Sequence, residues 1–325
     1  MKVVIADHPQ SDLSLEENLL TEAGMSMAVA DPPCRTPNEV IRAATDAEAL
    51  VLQYAPITEA VLAALPQLHI VSLPMIGVDP VDVEAASRYG VWVANVPDAC
   101  FKETAVHALA LALGLIRHVP FLDRTVRAGG WGYNSTGVLR RPGNLTFGIL
   151  GLGRIGRYVA SCAAPIFRRV LGYDPLMAKE QWPAGVERAE GLISLFKNSD
   201  ILTLHVPLTR ETRGLVGSAL LAEMRPGAYL VNVSRGPVVD PLALVDALDS
   251  HHLAGAALDV FEKEPPDKDD RLRTHPRVLL TPHAAFYSVE SDEEARTRSI
   301  GNIIEYRRTG RPNHVVVAGT KSYNT

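Results

Sequence analysis

The sequence predicts an α/β protein with two doubly wound parallel-sheet domains, and three observations carry the prediction. Short β-branched runs alternate with helical patterns along most of the chain. That rhythm restarts after a Gly-, Pro- and Asn-bearing stretch at 129–144. At 325 residues, the chain exceeds what one domain of about 150 usually holds. With 47% hydrophobic and 21% charged residues and a mean hydropathy of +0.06, it matches globular proteins and not disordered or fibrous ones. A balance of 32 Lys plus Arg against 37 Asp plus Glu creates no long-range field for polyanions, so no nucleic-acid partner is expected.

In the first series the strands are KVVIAD, MAVA, ALVLQY, HIVSLP and VWVANV, with helices over 15–23, 37–44, 59–65 and 82–89. The segment 102–119, KETAVHALALALGLIRHV, is rich in strong helix formers and apolar nearly all round. It predicts one long helix buried on most faces, suited to a domain crossover, a subunit interface or a plain core. Its apolar stretch spans about 18 Å as a helix, well short of the ~30 Å membrane core, so no membrane partner is expected. The second series, TFGIL, VLGYD, ILTLHV, YLVNV, GAALDV and VLLTPH, predicts six strands. The charged helical segment 290–308 is placed to pack back on the first part, which makes the first domain discontinuous. Three scattered cysteines, Cys34, Cys100 and Cys162, form neither a disulfide framework nor a zinc motif. With an apolar N-terminal run broken at Asp7, a cytoplasmic location is expected.

At the turn after TFGIL, Gly151, Gly153 and Gly156 form the pattern G-x-G-x-x-G, followed by an apolar helix over 155–166. The next strand ends in Asp174, 18 residues beyond Gly156, near the acidic position that a dinucleotide-binding βαβ unit requires. Glycine permits the tight turn and close backbone approach to a pyrophosphate seated at the helix N-terminus. Arg154 and Ile155 offer amide donors, while Asp174 accepts from ribose hydroxyls and repels a 2′-phosphate. NAD is therefore favoured over NADP. Pro165, followed by Ile166 and Phe167, is expected to end or kink the helix.

Ligands of open α/β sheets bind beyond the carboxyl ends of the strands. There YLVNV runs into Ser234 and Arg235, GAALDV runs toward Glu264, and VLLTP runs into His283. Arg235 offers a planar fork for a carboxylate and its adjacent carbonyl. His283 exchanges a hydroxyl proton near neutral pH, and Glu264 holds the imidazole and favours its protonated form. Glu262, in the same charged run, is an equal candidate on residue type alone.

Read together, these residues resemble the D-isomer-specific 2-hydroxyacid dehydrogenase family over nearly the whole chain. The most specific pieces are GILGLGRIG, MRPGAYLVNVSRGPVVD, GAALDVFEKEP and TPHAA. The resemblance implies that Arg235 binds the substrate carboxylate and carbonyl, Glu264 supports the histidine, and His283 is the proton donor in reduction. The family's 29-residue spacing between Arg and Glu selects Glu264 over Glu262. Beyond the glycines, it implies NAD contacts from Thr104, Arg154, Ile155, Asp174, Val206, Thr212, Val233, Ser234, Arg235, Asp259, His283 and Ala285. It implies a flavodoxin-like substrate domain at 1–98, completed by 286–325, and a Rossmann NAD-binding domain at 99–285. Ile76 and Gly77 would hold the substrate carboxylate through backbone amides, and a homodimer would form through the long apolar helix.

Tyr54, Ala55, Met75 and Ile76, with Phe101, Phe286 and Tyr287 from elsewhere, are expected to wall the substrate crevice. The stretch VLQYAPIT holds no Arg or Lys to counter a phosphate, which points to a neutral or apolar, non-phosphorylated 2-oxo or 2-hydroxy acid. Two alternatives stand beside this reading. TPHAAFYS resembles the histidine motif of the C-terminal-binding-protein corepressors, which implies an NAD(H)-sensing module that binds short peptides. Phosphite dehydrogenases keep the same three residue types. For formate the resemblance implies a glutamine beside the histidine, and Glu264 argues against it.

Overall fold

Strands of a parallel sheet covered on both faces need near-continuous apolar runs, which this chain supplies. The computed structural model describes residues 1–323. In chain order its elements are β1 (Lys2–Ile5), α1 (Ser14–Glu22), β2 (Ser26–Val29), α2 (Pro37–Ala43), β3 (Ala49–Val51), α3 (Glu59–Ala64), β4 (Ile70–Ser72), α4 (Val83–Arg88) and β5 (Trp92–Ala94). Then follow α5 (Phe101–Ile116), α6 (Val119–Arg127), β6 (Thr146–Leu150), α7 (Arg154–Ala163), β7 (Arg169–Tyr173), β8 (Val186–Arg188), α8 (Leu192–Asn198) and β9 (Ile201–Leu204). The chain continues through α9 (Ser218–Glu223), β10 (Ala228–Asn232), α10 (Pro241–Asp249), β11 (Leu253–Leu258), α11 (Arg271–Thr274), β12 (Val278–Leu280), α12 (Val289–Thr309) and β13 (Val315–Val317). Two compact units result: Met1–Cys100 with Ser288–Thr325, and Phe101–Tyr287.

The first unit is built on a sheet of order β13-β5-β4-β3-β1-β2, parallel except for β13, which runs antiparallel to β5. Its five parallel strands have the flavodoxin-like order, with the topological switch point between β1 and β3. Side chains alternate across the sheet. Val4, Leu50 and Val71 face the cluster with Val61, Leu62 and Ala85, whereas Val3, Ile5, Val51 and Ile70 face Ile300, Ile303 and Tyr306 of α12. A capping box at Ser288 and Ser291 starts α12, and Gly310, at φ +79°, ends it.

The second unit has an all-parallel sheet of order β12-β11-β10-β9-β6-β7-β8, the doubly wound arrangement whose strand order reverses beside β6. Every residue of β6 is buried. Leu202, Leu204, Leu230 and Ala256 pack on the side of α8 to α10, while Phe147, Ile149, Val231 and Ala257 pack against α5 and α7.

Four details depart from the sequence reading. The second sheet has seven strands where six are expected, because the edge strand β8, Val-Glu-Arg, buries too little to show an apolar run. β13 adds an antiparallel edge to a sheet expected to be wholly parallel. The long apolar helix ends at Ile116, three residues short of the expected 119: His118 adopts the left-handed conformation at φ +53°, and a separate helix, α6, starts at Val119 with Pro120 in its first turn. The glycine-loop helix stops at Ala163, two residues before Pro165, rather than reaching residue 166.

The units divide two residues beyond the expected 98/99 and 285/286 borders. Ala99 packs with Val96 and Ala295 of the first unit, while Phe286 lies edge-on to His283 of the second.

Candidate active site

The glycine fingerprint occupies the β6–α7 turn of the second unit, beside the strand-order reversal. Gly151 stands at φ +90°, and a Cβ there would lie 2.8 Å from the His205 carbonyl oxygen, so only glycine closes this turn. A Cβ on Gly156 would overlap the Gly151 carbonyl, which is why α7 can pack so tightly on the loop. Gly153 is the N-cap, exposed, with open space around its missing Cβ, and among the described residues no side chain caps the amides of the first helical turn. That is a cradle for a pyrophosphate. Arg154 is exposed, Ile155 is partly buried, and Val206 lies against the loop, 3.1 Å from the position of a Gly151 Cβ. At the end of β7, Asp174 accepts the Leu152 N–H at 2.8 Å on one oxygen and the Leu176 N–H at 3.0 Å on the other. Two backbone donors thus fix a carboxylate beside the glycine turn, with acceptor capacity to spare for ribose hydroxyls. These residues fit a bound dinucleotide.

Three adjacent strands, β10, β11 and β12, carry Arg235, Glu264 and His283 just beyond their carboxyl ends. Asn232 shapes the first turn: its Oδ1 accepts the N–H and hydroxyl of Ser234 at 3.0 and 2.8 Å, and its Nδ2 donates to the Arg235 carbonyl at 3.0 Å. The Arg235 guanidinium, half-buried, donates to the Ser234 carbonyl at 2.8 Å. A Cβ on Gly236 would overlap the Phe261 carbonyl, so this glycine lets the Arg235 turn approach the Glu264 loop.

Glu264 reaches His283, with Oε2 2.6 Å from Nδ1, while its Oε1 accepts the Phe261 N–H at 2.9 Å. Burial works to raise the Glu264 pKa. The hydrogen bonds from His283 and Phe261, and the charges of His283 and Arg235, outweigh it and hold the carboxyl below its usual value of 4.5. Because the folded value is depressed, the pair's contribution is complete above the ordinary carboxylate pKa and is lost only as pH falls through the lower folded value.

His283 itself sits at φ +54°, a left-handed conformation that costs roughly 1–2 kcal/mol for a non-glycine residue. Asp259, 1% exposed, offsets that strain. Its carbonyl accepts the His283 N–H at 2.7 Å, and its carboxylate accepts the Ala284 and Ala285 N–H groups at 2.9 and 3.0 Å.

Other sequence candidates are more scattered. Thr104, Val233 and Ala285 are buried. The Thr212 hydroxyl closes its own turn by donating to the Pro207 carbonyl at 2.6 Å. Phe101 packs edge-on against Tyr158 of α7, 5.6 Å between centroids, and Tyr287 is 60% exposed.

Tyr54, Ile76 and Gly77 belong to the carboxyl edge of the first unit's sheet. There the Asp7 carboxylate accepts the Gln53 and Tyr54 N–H groups, and the Ile76 carbonyl accepts from Asn95 Nδ2 at 2.6 Å. Asn232 was not legible as a site residue in the sequence. Its only signal is a polar residue at the end of an apolar strand.

Residues 109–285 match the model of the D-isomer specific 2-hydroxyacid dehydrogenase family, NAD binding domain. The chain is 39% identical over 289 residues to the glyoxylate reductase of Korarchaeum cryptofilum, covering 85% of each. It is 36% identical over 292 residues to the D-3-phosphoglycerate dehydrogenase of Archaeoglobus fulgidus, covering 90% of this chain and 54% of that protein. It thus spans about half the length of the phosphoglycerate dehydrogenases it matches. The solved D-lactate dehydrogenase of Aquifex aeolicus, complexed with NAD and lactic acid, superposes with a TM-score of 0.86 at 26% identity, covering 98% of this chain and all of that one. The chain belongs to the D-isomer specific 2-hydroxyacid dehydrogenase family, and its Phe101–Tyr287 unit contains the family's NAD-binding domain.

Proposed function

We propose that this protein is an NAD-dependent reductase of a non-phosphorylated 2-oxo acid, giving the D-2-hydroxy acid, with Arg235, Glu264 and His283 as its catalytic residues. The observation that carries the reading is the 2.6 Å Glu264–His283 pair beside Arg235 on three adjacent strand ends. NAD, held by the glycine turn and Asp174, supplies the hydride when bound in reduced form. Arg235 clamps the carboxylate and polarises the neighbouring carbonyl. Glu264 occupies Nδ1 of His283, which leaves Nε2 as the ring atom that delivers the proton to the carbonyl oxygen. Ionised Glu264 also stabilises the imidazolium from which that proton leaves.

The non-phosphorylated substrate rests on the first unit, read as the substrate domain. At the edge of its sheet Arg296 is engaged by both Glu16 oxygens at 2.6 and 2.7 Å and by Asp292 at 3.4 Å. That cation is neutralised, and a phosphate gains little from it. The phosphoglycerate dehydrogenase relatives favour a second reading, 3-phosphohydroxypyruvate as substrate. NADH oxidation is to be followed with glyoxylate, hydroxypyruvate, pyruvate, phenylpyruvate and 3-phosphohydroxypyruvate. Turnover of a non-phosphorylated acid giving the D-product supports the proposal. Preference for the phosphorylated acid replaces the substrate class, and tight NADH binding without turnover turns the reading toward the peptide-binding or phosphite alternatives.

Asp174→Ser is expected to narrow the preference for NAD over NADP at least tenfold, because the carboxylate would no longer oppose the 2′-phosphate. The ratio of kcat/KM for the two cofactors measures this, and an unchanged ratio removes Asp174 from the role.

A homodimer is part of the proposal. Val119, Val126, Trp131, Tyr133 and Val138 expose apolar surface along α6 and the stretch after it, the last three by at least 85%. Light scattering on the purified chain decides its oligomeric state. A cytoplasmic location is part of the proposal, in keeping with three cysteines, Cys34, Cys100 and Cys162, scattered along the sequence.

A further inference from the structure

His107, on the second turn of α5, has no part in the proton transfer described above, yet it ends a hydrogen-bonded chain that leads to the His283 turn. Asp259, at the end of β11, accepts the Thr281 hydroxyl on Oδ1 at 2.6 Å and the Ala284 and Ala285 amides at 2.9 and 3.0 Å. Thr281 precedes His283 by two residues, so both sides of the turn that presents the imidazole hang on one buried carboxylate.

The direction of each bond follows from counting hydrogens. An ionised carboxylate only accepts, so the single hydroxyl hydrogen of Thr281 goes to Asp259. The 3.0 Å contact between Thr281 Oγ1 and His107 Nε2 must then run the other way, with Nε2–H donating to the hydroxyl oxygen. His107 Nε2 also lies 3.8 Å from Asp259 Oδ1, and the histidine side chain is 27% exposed. In this mostly buried setting each bond of the chain polarises the next. Take away the Nε2 donor and the threonine hydroxyl loses the group that keeps its hydrogen on Asp259. The turn, strained at His283, then loses part of what holds it.

We propose that His107 is a positioning residue for His283, acting through Thr281 and Asp259 and touching neither substrate nor cofactor. Among the described residues, the Glu264 carboxylate, itself influenced by the Arg235 charge, faces His283, and the Asp259 carboxylate faces His107. The proposal rests on His283 being the proton donor.

The test is a double-mutant cycle in the full chain. His107→Ala and Thr281→Val are each expected to lower kcat about tenfold or more, with KM for the 2-oxo acid changed less. The double variant should be no worse than Thr281→Val alone, because both remove the same chain. His107→Gln, whose amide N–H can take the place of Nε2–H, and Thr281→Ser should recover activity to within about threefold of wild type. Independent losses, or a His107→Ala enzyme whose fall in kcat only tracks lost folded fraction, would overturn the proposal.

Imidazole nitrogen spectra of the same proteins report without turnover. Wild type should show His107 protonated on Nε2, and the His283 ring resonances should broaden in His107→Ala and sharpen again in His107→Gln. Unaltered His283 resonances in His107→Ala count against the relay. A wild-type chain that reduces no 2-oxo acid, but shows these spectral changes, counts only against the assigned reaction.

Discussion

Replacing His283 with asparagine is expected to lower kcat for 2-oxo acid reduction by about 10²–10⁴-fold, the usual contribution of a positioned general acid. Asparagine is the informative choice because residue 283 stands at φ +54°, a conformation that asparagine tolerates better than alanine. The backbone turn on Asp259 therefore survives while the imidazole is lost. NADH affinity, measured by fluorescence titration, should stay within a few-fold of wild type, since the glycine cradle and Asp174 are untouched. A variant with near-normal kcat would remove His283 from the chemistry. Glu264→Gln serves as the companion. It retains an acceptor for Nδ1–H but removes the charge, so the loss should be smaller than in His283→Asn. Because Glu264 is held below its ordinary pKa, its carboxylate should stay ionised through mildly acidic solution. An acid limb that survives unchanged in Glu264→Gln would assign that limb to another group.

Arg235→Lys is the second substitution with a large expected effect, about 10²–10³-fold in kcat/KM. Charge is conserved, so the loss reads geometry. A guanidinium presents parallel donors to a carboxylate and can polarise the adjacent carbonyl from the same plane, whereas an ammonium is a point charge on a flexible stem. The turn that holds residue 235 is built by Asn232 through the Ser234 amide, the Ser234 hydroxyl and the Arg235 carbonyl, none of which the substitution alters. Thermal stability should therefore change little. Equal falls in kcat and kcat/KM would place the interaction in the transition state, and a rise in KM alone would make Arg235 a substrate anchor only. Wild-type kinetics in Arg235→Lys would exclude the clamp.

Much of this architecture is readable in the amino-acid sequence. The apolar runs at Val3–Val4–Ile5 and Ile149–Leu150 lie in strands, because periodic apolar patterns report which face is buried. GLGRIG was readable because its requirement is local: a turn at φ +90° and a helix start that approaches backbone both depend on a few consecutive residues. Less legible were features whose cause lies far along the chain. β8 and β13 form only because a neighbouring edge is offered to them. The break between α5 and α6 turns on His118, whose Nε2 lies 3.2 Å from the distant Tyr229 hydroxyl.

By itself, then, the sequence determined the α/β class, the dinucleotide turn with its acidic partner, and the residue types Arg, Glu and His at successive strand ends. Tertiary structure decided what those types can do. It brings Glu264 onto His283 Nδ1, which leaves Nε2 as the ring nitrogen that this carboxylate does not engage, and it makes Asp259 and Asn232 the hidden supports of the two turns. The physical reason is range. Propensity, capping and glycine turns act over a few residues, whereas a 2.6 Å bond between residues 19 apart exists only once β11 and β12 are paired in register.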